Sequence, residues 1–226
     1  MNTRVLVDER NWLEINEHTD TCPHCLFAIN PLNINASLTG APDKKGTKLE
    51  LVYQCTRNEC RRLFISSFVR TTLQGQKRVG VFKYQNSSPV TVRNEVFATE
   101  VSAISPSFCE IFNQASAAEQ YGLSEISGVA YRKSLEFLIK DYCINKNQDS
   151  ADNIRSLQLA KVIGQYVSDV NIKECAKRAT WLGNDETHYV RKWGDKDLSD
   201  LKILIRLTLG WVQNCILTEK YMSEMG

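Results

Sequence analysis

Two short cysteine pairs constrain this chain more than any other feature: Cys22 and Cys25 stand in CPHC, and Cys55 and Cys60 stand in CTRNEC. A tight Cys-x-x-Cys turn lets both thiolates reach one ion while turn amides hydrogen-bond to the sulfurs. Two such pairs complete a tetrahedron, and zinc is the ion expected there. The other four cysteines, Cys109, Cys143, Cys175 and Cys215, are scattered singly along apolar helical stretches and read as small core residues. Disulfides are disfavoured in a reducing cytosol, which leaves metal or burial as the use for all eight. The second pair holds four residues between its cysteines where two are usual, and 29 residues separate the pairs. His24 lies inside the first turn and His18 just before it, so a site of three cysteines and one histidine competes with the four-cysteine reading. Four unmetalled thiols is the remaining possibility. Four protein ligands leave no open position for water or substrate, so such a site folds the chain rather than reacting.

Around these pairs the pattern is strand-like. KLELVYQC leads into the second pair and RRLFISSFVR leaves it, so the pair would cap a hairpin, and KRVGVFKYQ and PVTVRNEVF would extend the sheet. Near SAISPSF the alternation gives way to helical spacing, with Pro106 as a start signal. The expectation is an α+β chain: a zinc-ribbon-like β module over residues 1–104 and an all-α bundle over 105–226. The bundle is read as helices at about 105–121, 124–144, 154–167, 171–192 and 197–222. In the second of these Tyr131, Leu135, Leu138 and Tyr142 form one apolar stripe.

A chain of 226 residues with 42% hydrophobic and 24% charged residues is large enough for two such modules. Its apolar runs fall short of the ~20 residues of a membrane span, and its start lacks a signal-peptide layout, so the expectation is a soluble cytoplasmic protein. Charge is uneven. Residues 44–93 hold eleven bases against Glu50 and Glu59, a balance of +9, which leaves −7 for the rest of a chain whose net charge is +2. Arg61, Arg62, Arg70, Lys77, Arg78 and Lys83 would sit on the solvent side of the sheet. They are candidates for meeting nucleic acid phosphates, unless the two modules use their opposite charges to dock on each other.

Two polar groups stand out in the bundle. Arg132 and Glu136 have the i, i+4 spacing of a helical ion pair. In WLGNDETHYVRKW, Asn184 and His188 are four apart, with Arg191 three beyond, so an amide and a histidine would share a helical face. The stretch SPSFCEIFNQASAAEQYGLSEISGVAYRKSLEFLIKDY with the following LGNDETHYV resembles a helical domain of unknown function that recurs in bacterial restriction and phage-defence proteins, often after a small cysteine-bearing module. That domain is similar to the HEPN superfamily, many of whose members are metal-independent ribonucleases.

The superfamily's pattern is an Arg, often followed by Asn, then four to six residues and a His. His188 takes the histidine position, Asn184 the polar one, and Gly183 stands where the arginine belongs; Arg191, Arg178 and Arg132 are the arginines available to replace it. The resemblance implies a His and an Arg acting on a 2′-hydroxyl and scissile phosphate, commonly across a dimer; none of the three arginines lies at the matching place, and the candidate catalytic set here is His188 and Asn184 with Arg191 as the substitute. Three functional readings follow. The first is a non-catalytic binding protein of a defence or nucleic-acid-associated system, contacting RNA, DNA or a partner protein. The second is a HEPN-type endoribonuclease using His188. The third is a structural or regulatory homo-oligomer.

Overall fold

The computed structural model describes residues 3–6, 12–17, 19–41, 44–72, 79–186, 188–190 and 192–225. The chain divides into two compact units, Met1–Thr91 and Val92–Gly226.

The first unit is one six-stranded sheet. Its strands are β1 (Thr3–Leu6), β2 (Trp12–Ile15), β3 (Leu32–Thr39), β4 (Lys48–Gln54), β5 (Leu63–Thr72) and β6 (Val79–Ser88), in the spatial order β1-β2-β6-β5-β4-β3. All neighbours are antiparallel except β2 and β6, which meet in parallel at Ile15 and Phe82. Period-2 alternation puts Leu49, Leu51 and Tyr53 of β4 and Phe64 and Phe68 of β5 on the buried face beside Ile15 and Phe82. Ser66 lies in the same buried row, and its hydroxyl is matched by Thr19 at 3.0 Å and Ser87 at 2.8 Å, so that buried hydroxyl is satisfied. β4 and β5 pair in unbroken register from Lys48↔Val69 to Gln54↔Leu63, which makes the CTRNEC segment the cap of a hairpin, as the sequence predicts.

The second unit is helical: α1 (Thr99–Ile104), α2 (Pro106–Gln120), α3 (Ser124–Lys146), α4 (Ala151–Ser156), α5 (Leu159–Tyr166), α6 (Val170–Asp185) and α7 (Leu198–Glu224), with a 3-10 turn at Gln148–Ser150. α3 is the central helix, packed by α2, α5, α6 and α7. Its expected stripe of Tyr131, Leu135, Leu138 and Tyr142 is buried. Phe97, Phe108, Phe112 and Tyr131 form a chain of tilted and edge-on ring contacts with centroids 4.9–5.7 Å apart. No helix of the described residues is long and apolar enough to cross a membrane.

Three sequence expectations change here. PVTVRNEVF is not a strand. Its backbone is paired instead by two carboxamides of α2: Asn113 exchanges hydrogen bonds with the N–H and C=O of Glu95 (2.7 and 3.1 Å), and Gln120 does the same for Arg93 (2.8 and 3.1 Å). That anchors the segment to the helical unit and moves the division from residue 105 back to Val92. The helix expected at 154–167 is two, because Leu157 and Gln158 are extended (ψ 148° and 144°). The helix expected at 171–192 ends at Asp185.

Candidate functional site

The four paired cysteines converge at one end of the β4–β5 hairpin. Their sulfurs all lie within 4.8 Å of one another, with Cys22 to Cys60 and Cys25 to Cys55 each 3.9 Å apart. A disulfide would bring two sulfurs to about 2.05 Å, and all four thiols are free. Tetrahedral zinc with Zn–S bonds of about 2.3 Å spaces its sulfurs by about 3.8 Å, so the donor set fits zinc in both chemistry and size.

The two turns are built alike despite their different lengths. In the first, the Cys22 N–H donates to Phe27 O at 3.1 Å; in the second, the Cys55 N–H donates to Arg62 O at 3.0 Å. Each closing carbonyl therefore lies two residues past the second cysteine. The residue directly after that cysteine is left-handed in both, Leu26 at φ 62° and Arg61 at φ 51°. The second turn absorbs its two extra residues between Cys55 and Arg57, whose carbonyl accepts from Arg61 N–H at 3.0 Å as Cys22 O accepts from Leu26 N–H at 2.8 Å.

Backbone amides serve the sulfurs as the spacing requires. Cys25 is bonded by the amide of Phe27, and this contact brings its thiol down to about 7. Burial outweighs the amides of Cys25 and His24 at Cys22 and raises that thiol, and burial likewise pushes Cys55 up to about 12 against the amide of Arg57. His24 turns away from the sulfurs: its Nε2 donates to Leu63 O at 2.8 Å and ties the first turn to β5. It is therefore not among the ligands, and His18 lies outside the described residues.

Around the cluster, Arg61 and Arg62 are exposed, and the Arg57 guanidinium lies 3.5 Å over the ring of exposed Phe27, bridging one turn to the other. Of the remaining basic candidates, the described ones, Lys83 and Arg70, do not gather there. Lys83 is exposed opposite Val69, six residues along β5 from Leu63 and so roughly 20 Å away at ~3.3 Å per residue. Arg70 is a correction to the sequence expectation. It continues the inward row of Phe64, Ser66 and Phe68, pairs in register with buried Phe82, and rests its guanidinium 4.9 Å from that ring. Lys77 and Arg78 lie outside the described residues.

In the helical unit, Arg132 does form the expected pair with Glu136, at 2.6 Å, and Lys140 reaches the same carboxylate at 2.8 Å. The Arg132 Nε also donates to Asn184 Oδ1 at 2.9 Å. The Arg132 side chain crosses α6 at Gly183, where an added Cβ would overlap its Cβ and Cγ; on the other side of the crossing Glu186 lies against Gly128 in the same way.

His188 does not share a helical face with Asn184. α6 stops at Asp185 because that buried carboxylate accepts from the backbone N–H groups of Lys192 and Trp193, both at 2.7 Å, and folds the chain back. His188 is exposed in the bend that follows, and Arg191 lies outside the described residues. This return brings Trp193 parallel to Trp181, with ring planes 4° apart, a juxtaposition that sequence spacing under an uninterrupted helix conceals.

No protein-family profile, curated protein or solved structure matches this chain.

Proposed function

We propose that the chain is a zinc-folded nucleic-acid-binding protein of a bacterial defence or nucleic-acid-handling system, with its helical unit serving assembly. The observation that carries this reading is the closed four-cysteine cluster whose turns present Arg61, Arg62 and the Arg57–Phe27 stack to solvent. Four thiolates satisfy a tetrahedral ion, so the metal would hold the turns in shape and the exposed cations would meet phosphate. Binding of short oligonucleotides, followed by fluorescence anisotropy across salt concentrations, tests it. Affinity should fall steeply with salt. Arg61→Glu with Arg62→Glu should weaken binding to all sequences alike and flatten the log–log salt slope by about 1.4 to 1.8. Absence of binding at low ionic strength sinks the reading.

A second reading, metal-independent endoribonuclease, draws on one observation: Arg132 reaches Asn184 and packs on Gly183, the position where the resembled pattern has its arginine. With His188 as general acid or base, cleavage would leave a 2′,3′-cyclic phosphate and spare DNA. His188→Ala should then lower the rate about 100- to 10,000-fold, while zinc content stays unchanged. RNA left intact at every protein dose removes this reading and leaves the first standing.

A further inference from the structure

Trp181 near the end of α6 and Trp193 in the following loop are each nearly half exposed, at 45% and 43%, although tryptophan is a side chain that folding ordinarily hides. Their planes are parallel to within 4° and their centroids are 6.3 Å apart. That spacing lies between the about 3.5 Å of direct contact and the about 7 Å of two rings with one flat group between them. The pair is thus either a slot with a small opening left to make or a side-by-side aromatic platform, and both stack a planar π-system.

Both rings line one groove of about 360 Å³, floored by Leu182 and Leu204 and edged by Arg178, Lys196 and Asp200. Arg178 is held on one side by Glu174 at 2.8 Å, with its guanidinium 6.0 Å from the Trp181 ring; Asp200 has an oxygen committed to the Asp197 N–H at 3.1 Å. Arg178 and Lys196 outnumber Asp200 at the rim, and these charged groups disfavour a cationic guest and a wholly apolar one. They fit a guest that is flat where it meets the indoles and anionic beside them.

We propose that Trp181 and Trp193 receive an unpaired base of single-stranded nucleic acid, with Arg178 and Lys196 meeting the flanking phosphates. This rests on the nucleic-acid reading above, gives the helical unit a share in the binding beside assembly, and names the form of nucleic acid it takes. Stacking accepts any base, because every base has a π-face, so the groove should select single strands over duplex rather than one sequence over another.

The test uses the full chain and fluorescently labelled homopolymeric oligonucleotides, single-stranded and duplex, with light scattering on the same samples. Trp193→Ala and Trp181→Ala should weaken single-strand binding about 5- to 100-fold, leave duplex binding unchanged and preserve the salt slope; Trp193→Phe should restore most of it. Single-strand binding that survives both alanine variants yet falls with Arg61→Glu and Arg62→Glu overturns the slot and keeps the nucleic-acid reading. No binding of any oligonucleotide by the wild type removes both. A wild-type dimer that Trp193→Ala dissolves also overturns the slot, because the rings would then belong to a contact between copies.

Discussion

Leu26 and Arg61 occupy the same left-handed backbone, at φ 62° and 51°, each directly after the second cysteine of its pair. Neither is glycine, and an L side chain there costs of order 1 kcal/mol or more, so both turns hold a conformation that an unconstrained chain would leave. A metal ion held by the four sulfurs would supply the constraint. Cys55→Ser removes a buried ligand from the cluster and should abolish stoichiometric zinc while making the β unit protease-sensitive; a structural zinc contributes on the order of 10 kcal/mol to folding in small peptides. Elemental analysis of protein prepared without chelator, with limited proteolysis, reads both effects. At Gly183 the constraint is space. Gly183→Ala drives a methyl into Arg132 and should lower stability by about 1–3 kcal/mol, seen as a reduced denaturation midpoint at unchanged slope. Gly128→Ala meets only the outer atoms of the Glu186 side chain, which can swing aside, and should cost less.

Along α3 the ladder Arg132–Glu136–Lys140 shows how an element carries charge through a half-buried face. Burial by itself would raise the Glu136 carboxyl, but the hydrogen bonds from Lys140 and Arg132 outweigh it and hold the group below the usual carboxylate range. A depressed folded-state pKa contributes stability that is fully present above the unfolded value of about 4.3 and is lost as pH falls through the folded value. The melting temperatures of wild type and Glu136→Gln should therefore differ most near neutrality and converge below about pH 4. Melting curves that stay a constant distance apart across that range would count against this.

Which elements were legible follows the same physics. The β4–β5 hairpin, the buried stripe of α3 and the cysteine convergence follow from local periodicity and spacing. The end of α6 does not, because it depends on one carboxylate gripping two amides seven and eight residues ahead, with no glycine or proline to mark the break. PVTVRNEVF has real strand alternation, but its hydrogen-bond partners are side chains of a helix, which alternation cannot reveal. Arg70 was misplaced because composition assigns charge to solvent, while the register carries it inward onto Phe82.

For the whole molecule, the decisive fact is that each unit carries its own core: one around Phe64, Phe68 and Phe82, the other around Phe108, Phe112 and Leu135. The four-cysteine cluster belongs wholly to the first. Calorimetry should therefore show two transitions, and a strong zinc chelator should lower or erase one while leaving the other in place. A single transition that shifts as one body on chelation would contradict this. The anchoring of Arg93 and Glu95 by Gln120 and Asn113 also says where such a chain can be cut. A truncated helical half begun at Ser105 would lose Phe97 from its aromatic row and leave two carboxamides of α2 without their partners. Begun at Val92 it keeps both, so a gene fusion that borrows this bundle inherits a sound piece only if its splice falls ahead of that residue.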